Sequence, residues 1–343
     1  MNKSPLLIRA DATRQIGTGH LMRCLALAQG WQAMGGQAIF ISVCSSNALR
    51  SRLVYEGFEV VSVDNSYPHL KDWEVTHRLL KQYSDAWMVL DGYHFDSEYQ
   101  LRIKETGHHL LVIDDMGHLP HYFADIVLNQ NLYASEDLYM NREPYTKLLL
   151  GVKYVMLRKE FWQWKGYRRD VPQIARRVLV TMGGSDPDNV TCTVVQSLNQ
   201  IDDQLEISVI VGAANPHYDK LQKMVENSRH HIRLYRNVTD ISKLMAWADV
   251  AVSAGGSTCW ELIFMRVPIL VIVLAENQYR IAEILEDEGL AVNLGAVEDL
   301  STSDLAYELT SLMKHKSRRL RMIQCAERLV KETGVFNVLN SLK

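Results

Sequence analysis

In the segment "RADATRQIGTGHLMRCLALAQG" (residues 9–30), Gly17-Thr18-Gly19 is followed at once by His20 and then by apolar residues at helical spacing. A tight turn from strand into helix uses glycine, but it has no need of a histidine. In the first turn of a helix, His20 lies where the positive end of the helix dipole disfavours imidazolium. A neutral imidazole is what a general base requires near neutral pH. A capping or packing histidine is the alternative reading, and the chemistry favours the base.

Two further glycine loops suit anions. "MGGSDPDN" follows a strong strand, and bare glycines let a ligand approach the backbone while helix N-terminal amides suit phosphate. An ordinary turn capped by Asp188 or Asn189 is the equal alternative. In "SAGGSTCWE", Thr258 and Glu261 have the T-x-x-E spacing of a capping box, and the preceding glycines present backbone amides. Glu261 is either only a cap or also a carboxylate for a pair of sugar hydroxyls. "AENQYR" supplies Asn277 and Gln278, whose amides offer both donors and acceptors to a neutral sugar; a helix cap at Asn277 is the alternative. Tyr93, in "VLDGYHFD", is an aromatic hydroxyl on a strand-end loop and a candidate substrate contact. Asp91, Asp96, Asp114, Asp115 and His118 have the look of a metal set, but neither "VLDGYHFD" nor "VIDDMGH" contains a D-x-D or H-x-x-x-H spacing. Cap and turn roles are expected for them, and no metal.

These loops need strands and helices to hold them. "PLLIRAD", "QAIFISV", "FEVVSV", "AWMVLDG", "HLLVIDD" and "ADIVLNQN" read as strands. Leu21–Gln32 reads as a helix ended by Gly35-Gly36. Alternation of this kind implies a parallel sheet covered on both faces. The aromatic and basic stretch "LLLGVKYVMLRKEFWQWKGYRRDVP" breaks the rhythm and marks a domain boundary. "RRVLVTMGGSDPDNV", "EISVIVGAA", "IRLYRN", "ADVAVSAGGS" and "PILVIVLAENQ" restart it, and "SDLAYELTSLMKHKSRRLRMIQCAERLV" is one long helix or two. The expected architecture is α/β: two Rossmann-like domains with parallel sheets facing a cleft, and every glycine loop at the carboxyl end of a strand, where such sheets bind ligands. The expected boundaries are 1–155, 156–320 and a terminal helical segment 321–343 packing back on the first domain.

Composition bounds the partners. With 343 residues, 37 basic and 40 acidic side chains give a net charge of −3, so no basic footprint for nucleic acid is present. Arg168-Arg169, Arg176-Arg177 and Arg318-Arg319 read as solvated surface. The longest apolar run, "VPILVIVLA", is far short of the roughly 20 residues of a membrane span. Five widely spaced cysteines without a C-x-x-C pair support neither a disulfide framework nor a zinc site. A reduced, cytoplasmic protein without a secretory signal is expected. The lack of a P-loop, of a G-x-S-x-G elbow and of a third glycine after "GTG" argues against nucleotide triphosphatase, serine hydrolase and nicotinamide chemistry.

In order along the chain, "RADATRQIGTGHLMRCLALA", "VLDGYHFD", "VIDD", "ADIVLNQNLYA", "LLGVKYVMLRKEF", "MGGSD" and "AENQ" resemble the UDP-2,4-diacetamido-2,4,6-trideoxy-β-L-altropyranose hydrolase family of pseudaminic acid biosynthesis, over about residues 6–290. Thr13 stands where that pattern has serine. "SAGGSTCWE" followed by "VPILVIVLAENQ" is similar to the nucleotide-binding half of the MurG-type N-acetylglucosaminyltransferases. The resemblance implies a GT-B-like fold with UDP on the second domain and His20 as the catalytic residue. It implies sugar contacts from Tyr93 and Asn277, with Gly17, Gly19 and Gln278 beside them. It places Glu261 on the ribose, the backbone near Val238 on the uracil, and Gly184, Ser185, Gly256, Ser257 and Thr258 on the diphosphate. The implied reaction is release of UDP from a UDP-linked diacetamido sugar by water attack at the anomeric carbon with inversion. It needs no cofactor, and a monomer or weak homo-oligomer is expected. A MurG-like glycosyltransferase and a non-catalytic nucleotide-sugar binding protein are the rival readings.

Overall fold

The computed structural model describes residues 4–13, 15–212 and 215–343. Arg14 of the first glycine segment, and Ala213 and Ala214 at the end of "EISVIVGAA", lie outside the described residues, as do residues 1–3 of the N-terminal stretch read above. The chain divides into two compact units, residues 1–159 with 333–343, and residues 160–332.

The first unit contains strands β1 (Leu6–Ala10), β2 (Ala38–Ser42), β3 (Glu59–Ser62), β4 (Trp87–Asp91), β5 (His109–Ile113), β6 (Ile126–Asn129) and β7 (Lys147–Leu150), with helices α1 (Gly19–Ala33), α2 (Asn47–Tyr55), α3 (Leu70–Gln82) and α4 (Ser97–Glu105). The strand order is β3-β2-β1-β4-β5-β6-β7, and every pairing is parallel. β1 is buried along its whole length, because successive side chains leave a strand on opposite faces and here both faces are covered. Leu6, Ile8 and Ala10 join the core with α1 and α2. Leu7 joins the core with α3 and α4. β3, at the sheet edge, alternates only between exposed and half-buried. The seventh strand lies in "LLLG", at the start of the stretch expected to be linker; β7 is short, and the aromatic and basic run after it hid its apolar signal.

The terminal helix Val335–Asn340 belongs to this first unit and packs on α1. Gly30 makes the approach possible: a Cβ there would lie 2.2 Å from Val335 Cγ1. Glycine inside a helix costs roughly 1 kcal/mol relative to alanine, which burial of Val335, Val338 and Leu339 against α1 offsets.

The second unit has β8 (Arg177–Thr181), β9 (Glu206–Val211), β10 (His231–Arg236), β11 (Val250–Ala254), β12 (Ile269–Val273) and β13 (Ala291–Ala296). The order is β10-β9-β8-β11-β12-β13, again all parallel. Its helices are α5 (Lys159–Trp162), at the junction, then α6 (Val190–Leu198), α7 (Tyr218–Glu226), α8 (Ser242–Trp247), α9 (Thr258–Phe264), α10 (Tyr279–Asp287), α11 (Thr302–Lys314) and α12 (Lys316–Leu329). The long C-terminal helical stretch is therefore two helices.

The arginine pairs are not simply solvated surface. Arg319 is fully buried and donates to the carbonyls of Leu312 (2.7 Å) and Pro172 (2.5 Å). Half-buried Arg169 donates to those of Met245 (2.6 Å) and Met265 (3.1 Å), and burial pushes its guanidinium down to about 10. The last carbonyls of a helix have no intrahelical donor, and these two side chains supply one at the ends of α8, α9 and α11.

Both sheets therefore reverse direction once, between β1 and β4 and between β8 and β11. Ligands bind outside the carboxyl ends of the strands at such switch points.

Candidate functional site

At the first switch point, Gly17 turns the chain with φ +77°, and its amide donates to the Thr13 carbonyl (2.9 Å). α1 begins two residues later, so His20 falls in its first turn and Arg23 lies one turn further on the same face. Both reach Asp91, the last residue of β4, which is fully buried. His20 Nδ1 is 2.6 Å from Asp91 Oδ1. Arg23 grips both oxygens, Nε to Oδ2 at 2.6 Å and Nη2 to Oδ1 at 2.7 Å. Its remaining nitrogen, Nη1, donates to Asp115 Oδ2 at 2.5 Å. Asp115 also accepts from the Tyr93 hydroxyl (3.1 Å) and from Asn131 Nδ2 (2.9 Å). The Tyr93 ring meets the His20 ring edge-on, with centroids 4.8 Å apart.

Three consequences follow for the chemistry. Burial alone would raise the Asp91 carboxyl, but the charges of Arg23 and then His20 outweigh it and hold Asp91 well below the usual carboxylate range. A carboxylate can only accept, so the neutral form of His20 carries its proton on Nδ1 and keeps its lone pair on Nε2. Nε2 makes no hydrogen bond to a described residue, and the side chain is one-tenth exposed. A carboxylate that fixes the tautomer of an imidazole whose other nitrogen is available is the arrangement of a general base.

Asp91 and Asp115 thus have roles that the expectation of caps and turns missed. Asp96 does cap α4, accepting from the Tyr99 amide at 2.9 Å, and Asp114 accepts from the Met116 and Gly117 amides. His118 lies beside Asp114 and hydrogen-bonds to the Tyr93 carbonyl (3.1 Å). Among the described residues no group of three or more His, Cys, Asp or Glu side chains could hold a metal ion. A second buried network braces the end of β1: Asp11 accepts from Arg9, from the Val43 amide (2.7 Å) and from Ser66 (2.8 Å), and it contacts His94 (3.0 Å). No local pattern announces either network: His20 and Asp91 are 71 residues apart, Arg23 and Asp115 are 92 apart, and Asp11 and the Val43 amide are 32 apart.

The second switch point is built differently. Gly183 and Gly184 follow β8, and Gly255 and Gly256 follow β11, its neighbour. Ser185, Gly256, Ser257 and Thr258 are all half-exposed there. The capping differs from expectation at both loops. Asn189 is the N-cap of α6, as one reading expected, but its side chain makes no cap bond; Asp186 supplies the acceptors, for the Val190 amide (2.7 Å) and the Thr191 amide (3.1 Å). α9 starts at Thr258 with Ser257 as its N-cap and no side-chain cap bond. The Thr258–Glu261 capping box, which needs Thr258 as the N-cap, is therefore not formed. Gln278 Oε1 accepts from the Gly255 amide (3.2 Å) and the Leu274 amide (3.0 Å), so its oxygen ties the ends of β11 and β12 together. Asn277 lies half-buried in the 3-10 turn Glu276–Gln278 just before it. Val238 lies in the loop after edge strand β10, two strands from β8.

Residues 177–335 match the Glycosyltransferase family 28 C-terminal domain. The chain is 26% identical over 336 residues to the spore coat polysaccharide biosynthesis protein SpsG of Bacillus subtilis, covering 96% of this chain and 95% of that one. It is 26% identical to the UDP-2,4-diacetamido-2,4,6-trideoxy-beta-L-altropyranose hydrolase of Campylobacter jejuni, covering 84% and 98%. It is also 26% identical to an uncharacterized protein, MJ1062, of Methanocaldococcus jannaschii, but spans only 56% of that longer chain. The structure of Acinetobacter baumannii MurG superposes with a TM-score of 0.66 at 15% identity, covering 99% of both chains.

The fold is of the GT-B type, two Rossmann-like halves. The family match contains the whole second switch point, Val238 and the "ENQ" turn. It does not include His20, Asp91 or Tyr93. No helix among the described residues is long and apolar enough to cross a membrane.

Proposed function

We propose that the chain is a nucleotide-sugar hydrolase that releases UDP from a UDP-linked 2,4-diacetamido-2,4,6-trideoxy hexose, in the biosynthesis of pseudaminic acid. The observation that carries the reading is the His20–Asp91 pair, with Nδ1 held and Nε2 available. Water attacks the anomeric carbon from the face opposite the leaving group. His20 Nε2 takes the proton, the bond from C1 to the phosphate oxygen breaks, and UDP departs with the electron pair, inverting the centre. Backbone amides of Gly184, Ser185, Gly256, Ser257 and Thr258 stabilise the anion, as preorganised donors do for developing charge. Glu261 holds the ribose and the backbone at Val238 meets the uracil. The sugar contacts are Tyr93 and the Gly17–Gly19 turn in the first unit and Asn277 and Gln278 in the second, Gln278 through its amide nitrogen because its oxygen serves the fold. The reaction needs no metal.

The match of the second unit to a glycosyltransferase domain favours one alternative, transfer of the sugar to an acceptor other than water. Incubating the protein with UDP-linked diacetamido sugars, with and without acceptors, separates the two. UDP release without an acceptor, lowered about 10²–10⁴-fold in His20→Gln with UDP affinity retained, is the expected result. Release that depends on an acceptor would assign the transferase.

A further inference from the structure

Arg23 takes part in none of the steps above, yet it is buried in the middle of the site and bonds to both Asp91 and Asp115. Its Nη2 is 3.3 Å from His20 Nδ1, the same nitrogen that meets Asp91. A buried guanidinium beside two carboxylates is expected; one that also touches the imidazole paired with one of them is not required by packing.

We propose that Arg23 is a positioning residue for His20: its fork fixes the Asp91 carboxylate in the plane that meets Nδ1, and it divides the charge of that carboxylate between guanidinium and imidazole. Asp115 is the anchor that holds the fork in place. The inference rests on His20 being the base, and it adds what sets the strength of that base.

The geometry supports both halves of the statement. Two parallel N–H···O bonds to one carboxylate fix its orientation as well as its charge. Lysine offers a point charge and no fork, so Arg23→Lys is not a conservative change here. With Arg23 present, a proton arriving at Nε2 creates an imidazolium whose Nδ1 edge faces both the Asp91 carboxylate and a like charge. The charged and titratable groups around His20 are Asp91, Arg23, Tyr93 and Asp115, from β4, from α1 and from the loops after β4 and β5. At rest, Asp91 and Asp115 against Arg23 leave one negative charge, which a proton on His20 cancels.

The test uses the full-length protein and reads the His20 ring directly, by NMR titration of the imidazole resonances, with His20→Gln used to assign the peak. Removing a like charge at this distance in Arg23→Gln should move the His20 titration midpoint up by about one pH unit or more. Asp91→Asn should move it the opposite way. Arg23→Lys, which keeps the charge and loses the fork, should leave the midpoint nearer wild type yet still weaken the Nδ1–H tautomer signature. Asp115→Asn provides a milder variant if Arg23→Gln does not fold, and should move the midpoint through its release of Arg23. An unmoved midpoint in folded Arg23→Gln and Asp115→Asn, or shifts of the same sign for Arg23→Gln and Asp91→Asn, would overturn the inference. UDP release retained in His20→Gln would instead overturn the assignment of the base, and the NMR shifts would still report on Arg23 separately.

Discussion

The two sheets share one topology and put opposite chemistry at the same place. Where the first sheet reverses, the start of α1, the end of β4 and the loops after β4 and β5 carry His20, Arg23, Asp91, Tyr93 and Asp115, tied together by charge-assisted hydrogen bonds. Where the second reverses, the corresponding positions carry Gly183-Gly184-Ser185 and Gly255-Gly256-Ser257-Thr258, with backbone amides in place of charged side chains. Fold does not decide function; here the same frame supplies one point suited to moving a proton and another suited to holding an anion. The family match covers the second of these points and not the first.

The comparison breaks most visibly if chemistry and binding are not separable. His20→Ala should lose turnover by about 10²–10⁴-fold with unchanged calorimetric affinity for UDP. Gly256→Val should do the reverse. A Cβ at Gly256 meets no atom within 4 Å, so the substitution folds without a clash but crowds the amides. UDP affinity should fall about tenfold, roughly 1.4 kcal/mol, with little change in melting temperature. A clear loss of UDP binding in His20→Ala, or of none in Gly256→Val, would merge the two roles.

Acid should distinguish the halves as well. Asp11, Asp91 and Asp114, all in the first unit, are held below the ordinary carboxylate range. Burial opposes this in each case, but it is outweighed by His94 and Arg9 at Asp11, by Arg23 and His20 at Asp91, and by His118 and Tyr122 at Asp114. A depressed carboxylate contributes stability above its unfolded value near 4, and the contribution is lost as pH falls through the folded value. Amide exchange in β1 and β4 should therefore accelerate below about pH 4 relative to β12, since Asp249 is likewise depressed where it meets the start of β8. Equal acceleration in both sheets would mean that the buried network contributes no special sensitivity.

Smaller effects sharpen the packing side. Asp186→Ala removes two amide partners at the start of α6 and should cost about 1–2 kcal/mol in chemical denaturation, without touching turnover beyond a modest rise in KM. A chelator such as EDTA should leave turnover unchanged; loss restored by Mg²⁺ would mean that the carboxylates after β4 and β5 bind metal after all.

What the sequence discloses follows from what is local. β1, β4, β8 and β11 are legible because strands of a doubly covered parallel sheet read as continuous apolar runs. β7 is not, since four residues at a sheet edge merge with the aromatic stretch behind them. His20 is legible because a histidine after a glycine turn has no structural need. Its partner Asp91 is invisible, because 71 residues separate them and only the adjacency of β1 and β4 brings them together. The failed capping box at Thr258 shows the other limit: the spacing was right, but the helix begins one residue earlier than the motif requires, with Ser257 as its N-cap.

The most direct test of the account is a single-turnover reaction of the protein with a UDP-linked 2,4-diacetamido-2,4,6-trideoxy hexose in ¹⁸O-labelled water, without acceptor, followed by NMR and mass spectrometry. Water attack at the anomeric carbon by way of His20 predicts ¹⁸O at C1 of the released sugar, an inverted anomer as first product, and unlabelled UDP. Label in the phosphate of UDP, a retained anomer, or no turnover until an acceptor is added would contradict it.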